Sequence, residues 1–325
     1  MSGAPTLNQD PRLRAMILPL FKINPRALDD RPFGLGTVFR IDPWGNCATA
    51  FHVIEDMLVA NSDKAELRDD VRVCALEIEG IVYGQPPLPK DAWRPLAGFY
   101  SELGLETSPL LHVPKKIRNL TELTNLTIPR SERPGDTPYL PMALSRSAPN
   151  VGDIVTGYGF AGLDVDQNGK GDDRPIQQYL YQSSGEVIEV FPADPASTMP
   201  WPRFRVAAEW PSGMSGGPVL DKDGRVIGII SRGWTGQPDS TATHFAGWSI
   251  GPRTFPTLDA SNPGFFRCFA AIDGEDDVRF LSLNVDVAKD FAKANGYQVR
   301  FVSCNPTTRG WIASEIEQPK VSEAQ

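Results

Sequence analysis

At 325 residues, with 41% hydrophobic and 22% charged side chains, the chain is long enough for two modest cores and has an ordinary globular balance, which argues against wholesale disorder and against a membrane-embedded protein. A formal net charge of -8, with no local run of lysine or arginine, argues against a surface built for nucleic acid or anionic lipid. The four cysteines, Cys47, Cys74, Cys268 and Cys304, are widely spaced and lack a Cys-x-x-Cys pair, so neither a zinc site nor a dense disulfide framework is expected.

Residues 1–30 read as an N-terminal arm. Met1 to Arg14 lacks the basic start, apolar centre and small-residue cleavage site of a secretory signal, and Pro19 interrupts the apolar patch Ala15 to Phe21. No later stretch reaches the roughly 20 apolar residues of a membrane span. With cysteines that read as reduced thiols, the expected compartment is the cytoplasm of a bacterial cell.

From there, abundant glycine and proline punctuate short apolar runs, the pattern of many strands joined by turns. Strands are expected at Gly36 to Ile41, Ala48 to Phe51, Val71 to Glu77, Ile154 to Phe160, Gln178 to Val190, Arg203 to Ala208, Pro218 to Leu220, Val226 to Ser231 and His244 to Ile250. Residues 80–116, Pro-rich and bearing Trp93, Phe99 and Tyr100, read as an insertion packed on the first half. A turn-rich break at Ser147 to Gly152 divides a first barrel, 31–148, from a second, 149–251. In the extension 252–325, Asp286 to Ala294 has helical spacing, with Asn295 and Gly296 as its stop.

The strongest chemical signal is Gly213-Met214-Ser215-Gly216-Gly217-Pro218-Val219, followed by a turn and the strand from Val226. A hydroxyl nucleophile needs a tight turn and backbone N–H groups aimed at a developing oxyanion, and glycines permit both. Gly213 and Ser215 would supply those donors. The second signal is Thr49-Ala50-Phe51-His52. Serine at neutral pH needs a base with a pKa near 7, and His52 suits this better than His112 or His244, which read as structural.

These segments, with Pro138 to Gly162 entering the second half, resemble trypsin-like serine proteases, nearest to the bacterial Deg-type and related intracellular members. The resemblance covers roughly Phe33 to Ile250. It implies an all-β fold of two six-stranded antiparallel barrels, here with a C-terminal extension containing a helix, and a site between the barrels. It implies a serine endopeptidase acting on protein or peptide substrates through an acyl-enzyme, with no cofactor and no metal.

The family's third catalytic member, an aspartate heading a strand, has no counterpart in Leu120 to Ile128. One register places Asn125 there and another Glu122. Asn125 is the expected member, with Glu122 the alternative. An amide orients the histidine without supplying charge, so Asn125 implies a slow or switched enzyme. That motivates two rival readings: a catalytically weak binding or sensor module, and a latent protease awaiting a regulatory partner. By the same resemblance, Met214 replaces the aspartate that binds a newly freed N-terminus in zymogens, and Glu209 stands at the base of the substrate pocket, where it would favour lysine or arginine. Asp164 to Asp173 resembles half of a calcium loop but lacks the closing glutamate, and reads as a solvated acidic turn.

Overall fold

Apolar alternation and turn chemistry translate into strands over nearly the whole first part of the chain. The computed structural model describes residues 3–24, 32–61, 64–77, 90–106, 116–128, 138–140, 148–163, 179–232, 239–244, 259, 262, 265–306 and 308–313. They fall into two units, Met1–Arg130 with Pro138–Ser249, and Ile250–Gln325 with Ser131–Thr137.

The first unit begins with β1 (Thr6–Leu7) and α1 (Pro11–Met16), a short helix capped by Asp10, whose side chain accepts the Arg12 N–H. Then follow β2 (Ile17–Ile23), β3 (Phe33–Arg40), β4 (Asn46–Ala50), the small hairpin β5 (Leu58–Asn61) and β6 (Lys64–Leu67), β7 (Arg72–Leu76), β8 (Trp93–Pro95), β9 (Gly98–Glu106) and β10 (Lys116–Thr127). Seven of these make an antiparallel half-barrel in the order β8-β7-β2-β3-β4-β10-β9. Trp93–Pro95 and Gly98–Glu106, expected within an insertion, are strands of the sheet itself. Trp93 sits edge-on to Phe21, with ring centres 5.4 Å apart, so its half-buried ring packs against the barrel core.

The second barrel contains β11 (Ile154–Phe160), β12 (Leu180–Phe191), β13 (Arg203–Val206), β14 (Pro218–Leu220), β15 (Val226–Arg232) and β16 (Ser240–His244). The order β12-β11-β14-β15-β16-β13 is closed by β12 pairing with β13, so this six-stranded antiparallel barrel has no free edge. Its core packs Val155, Val187, Phe204, Val206, Trp210, Met214, Val219, Ile227 and Ile230. β1 from the N-terminal arm adds to β12 at Thr6↔Gln182 and Leu7↔Tyr181. The two barrels meet along β2, β3 and β11, and between β4 and β15.

The second unit has a four-stranded sheet, β18-β17-β19-β20, built from β17 (Phe266–Ile272), β18 (Val278–Ser282), β19 (Gln298–Cys304) and β20 (Trp311–Ala313). Its helix α2 (Val285–Asn295) matches the periodicity of the sequence. Asn284 caps its start, and Gly296, at φ 72°, ends it in the left-handed conformation. Phe291 of α2 stacks on Phe280 of β18 at 4.4 Å. Among the described residues no helix is long and apolar enough to cross a membrane.

Candidate active site

The turn carrying Ser215 is written in its glycines. Gly213 (φ 95°) and Gly216 (φ 84°) take left-handed conformations that cost a side chain-bearing residue about 1–2 kcal/mol each. A Cβ at Gly216 would also strike the Thr37 carbonyl and the Thr49 hydroxyl. Met214, fully buried in the barrel core, anchors the turn from below. The Met214 N–H donates to the Pro211 carbonyl (3.1 Å), Gly217 N–H to Met214 (2.9 Å) and Gly216 N–H to Ile230 of β15 (2.8 Å). Among the described residues the N–H groups of Gly213 and Ser215 carry no backbone bond, which leaves two donors on one turn.

The first barrel clamps this turn through Thr37 of β3, a residue that sequence reasoning missed. Its N–H donates to the Ser215 carbonyl (2.8 Å) and its hydroxyl to the Gly213 carbonyl (2.9 Å), while the hydroxyl accepts the Phe160 N–H (2.9 Å). Threonine there gives no motif signal, because its partners are remote in sequence.

His52 lies in the single helical turn Phe51–Val53 that ends β4. Phe51 and Val53 are buried on either side and hold it, while the imidazole itself keeps 31% of its side-chain surface exposed. A Cβ on Gly36 would lie 2.7 Å from the Ser215 carbonyl and 3.1 Å from the Val53 side chain, so the two turns approach across that glycine. His52 Nδ1 meets Glu122 Oε1 in a short hydrogen-bonded contact. With Nδ1 engaged by a carboxylate, Nε2 is the nitrogen left to exchange a proton.

Glu122 reaches this position because β10 is irregular. Lys116–Asn119 pairs with Leu103–Glu106 of β9 and Thr124–Thr127 with Gly98–Ser101, so Leu120–Leu123 bulges opposite Glu102 alone. Within the bulge Glu122 adopts φ 58°, a left-handed conformation that costs about 1–2 kcal/mol without glycine. Asn119 closes the loop. Its Oδ1 accepts the N–H groups of Thr121 (3.1 Å) and Glu122 (3.0 Å), and its Nδ2 donates to Glu122 Oε2 (2.7 Å). From the second barrel the Ser231 hydroxyl donates to Oε1 at 3.4 Å. Glu122 is only 4% exposed, so its charge is met by side chains rather than by bulk water.

Asn125, the expected partner of His52, is not the group at Nδ1. It lies in the regular ladder opposite Ala48 of β4 and Tyr100 of β9. Leu123 pairs with Ala50, so the stretch of β10 facing His52 precedes Leu123, and Asn125 is opposite a residue four places before the histidine. Glu122, the alternative register, stands at Nδ1, and the bulge sets it off the ladder that holds Asn125.

Glu209 is half-buried, and its N–H donates to the Gly3 carbonyl of the N-terminal arm at 3.2 Å. That carbonyl also accepts the Ser183 hydroxyl at 2.6 Å. His244 is 2% exposed on β16, edge-on to Phe204 at 6.1 Å, and burial pushes its imidazole down to about 4. All four cysteines are buried and free. Burial raises the thiols of Cys47 to about 12 and Cys304 to about 11, so neither resembles an activated nucleophile. His112, the acidic segment 164–173 and the expected strand residues 245–250 lie outside the described residues. Among the described residues Asp273, Glu275 and Asp277 of the second unit form one carboxylate group close enough to share a cation, but Arg279 already pairs with Asp273 at 2.5 Å.

Solved structures that are similar include three at low identity. The active form of the Rv3671c protease from M. tuberculosis matches with 15% identity over 81% of this chain and 94% of that one, at a TM-score of 0.42. Its inactive form matches with 17% identity over 74% and 92%, at 0.39. The HtrA-type protease AlgW with decapeptide matches with 14% identity over 72% of this chain, which spans 63% of the AlgW chain, at 0.41. No curated protein matches in sequence. The family model of the trypsin-like peptidase domain matches residues 34–229, a span that includes the Ser215 turn, His52 and the bulged strand of Glu122. The chain belongs to the trypsin-like peptidase family.

Proposed function

We propose that the chain is a serine endopeptidase in which Ser215, His52 and Glu122 act together. Ser215 Oγ attacks the scissile carbonyl as His52 Nε2 takes its proton. The N–H groups of Gly213 and Ser215 receive the oxyanion, and the imidazolium returns the proton to the leaving amine. Water then hydrolyses the acyl-enzyme by the same route in reverse roles. Glu122 holds the imidazole in one tautomer and balances its positive charge.

The contact between His52 Nδ1 and the Glu122 carboxylate carries this reading. The weak-module alternative was motivated by an amide behind the histidine, and a carboxylate there removes that motive. Glu209, as the pocket base, would draw lysine or arginine side chains by charge.

A fluorophosphonate probe tests the proposal. Labelling is expected at Ser215 and is lost in Ser215→Ala and His52→Ala. A folded chain that leaves Ser215 unlabelled overturns the proposal.

A further inference from the structure

We propose that Asn119 is a positioning residue for the acid, acting through Glu122 on His52; the proposal rests on the serine-peptidase reading above. Glutamate is one methylene longer than aspartate, so a glutamate on an unbroken strand would overreach a histidine placed for the shorter residue. The three-residue excess of the bulge moves the Glu122 backbone out of the ladder, and Asn119 governs both ends of the result. Its carbonyl oxygen holds the Thr121 and Glu122 N–H groups, fixing the left-handed turn. Its amide nitrogen holds Oε2 at 2.7 Å, which leaves Oε1 as the oxygen turned to His52 Nδ1 and to Ser231.

One amide thus sets the backbone from which the carboxylate is presented and the rotation with which it arrives. Both contacts lie where bulk water has limited access, Glu122 being buried and Asn119 partly so. The two functions of the amide separate by substitution. Asn119→Asp keeps an oxygen acceptor for the two N–H groups but removes the donor to Oε2 and sets a carboxylate against it. Asn119→Ala removes both.

The test measures kcat and KM on a peptide substrate for the full chain, together with its thermal midpoint. In Asn119→Asp the expected result is a fall in kcat of about 10²-fold, the scale of a misplacement of about 1 Å, with KM within about twofold and the fold retained. Asn119→Ala is expected to lose as much kcat and also to melt earlier. Wild-type kcat in a folded Asn119→Asp overturns the proposal, because a purely structural turn would tolerate aspartate.

A second readout does not depend on turnover. In a Ser215→Ala background, the downfield proton resonance of the His52 Nδ1–H···Glu122 bond is expected to disappear on adding Asn119→Asp. Its persistence unchanged overturns the Asn119 role even if the chain hydrolyses nothing. Absence of Ser215 labelling in the wild-type chain, by contrast, counts against the peptidase reading alone.

Discussion

The two barrels bring their parts of the site into place by different means. In the second barrel the Ser215 turn is held mainly by backbone: two glycines in left-handed conformations and N–H groups bonded to Pro211, Met214 and Ile230, with the Thr37 hydroxyl added at the Gly213 carbonyl. In the first barrel Glu122 also takes a left-handed conformation, but without glycine, and a neighbouring amide side chain keeps it there. A backbone-built element tolerates little change at its glycines, whereas a side chain-built element can be retuned by exchanging the bracing group. The Ser215 turn is therefore expected to lose stability when its glycines are replaced, and the Glu122 bulge to lose rate while remaining folded when its bracing amide is exchanged.

The largest test removes the hydroxyl proposed as nucleophile. Ser215→Ala is expected to lower kcat about 10⁶-fold with an unchanged thermal midpoint, and a residual rate near wild type would place the chemistry elsewhere. Glu122→Gln should cost about 10⁴-fold in kcat, the effect of the equivalent acid-to-amide change in this fold. A circular dichroism melt that matches wild type would locate that loss in charge and tautomer rather than in structure.

Gly216→Ala examines the other side of the comparison. The added methyl meets the Thr37 carbonyl and the Thr49 hydroxyl at a left-handed φ, so a loss of about 3 kcal/mol or more is expected in urea unfolding. If Gly216→Ala were as stable as wild type, the distinction between a backbone-built and a side chain-built site would collapse.

His244 gives a pH-dependent test of the second barrel. Its imidazole lies near 4 when folded, against 6.5 as a free group, because burial disfavours the charged form. Unfolding therefore takes up a proton between these values. The stability this neutral imidazole contributes is complete above pH 6.5 and is lost as the pH falls toward 4, by about 3 kcal/mol at most. In His244→Phe the unfolding free energy should be flatter over that window. The smallest effect is expected in the second unit: Asn284→Ala removes the α2 cap, which accepts the Asp286 N–H at 2.8 Å, and should cost about 1 kcal/mol in unfolding free energy.

In the second barrel β11 to β15 could be read from alternation and punctuation, since β11 to β13 bury one face and expose or half-expose the other, whereas in the first only β3, β4 and β7, short runs with long buried stretches, stood out. The reading failed where the chain departs from simple alternation. Residues 93–106 looked like an insertion because proline-rich sequence surrounds them, yet their edge strands are fixed by pairing with β7 and β10. Ser231 and Asn119 carried no signal, since a serine in a hydrophobic strand and one of two asparagines in a polar one acquire meaning only from what they touch.

By itself the sequence marked out the Ser215 turn and His52, because both depend on local chemistry: glycines that permit a left-handed backbone, and a histidine set between two apolar residues at the end of a strand. Which residue stands behind His52 was decided by tertiary structure. Glu122 and Asn125 are three positions apart on one strand, and only the pairing of Leu123 with Ala50, together with the bulge that Asn119 closes, brings the carboxylate to the imidazole and leaves the amide in the ladder.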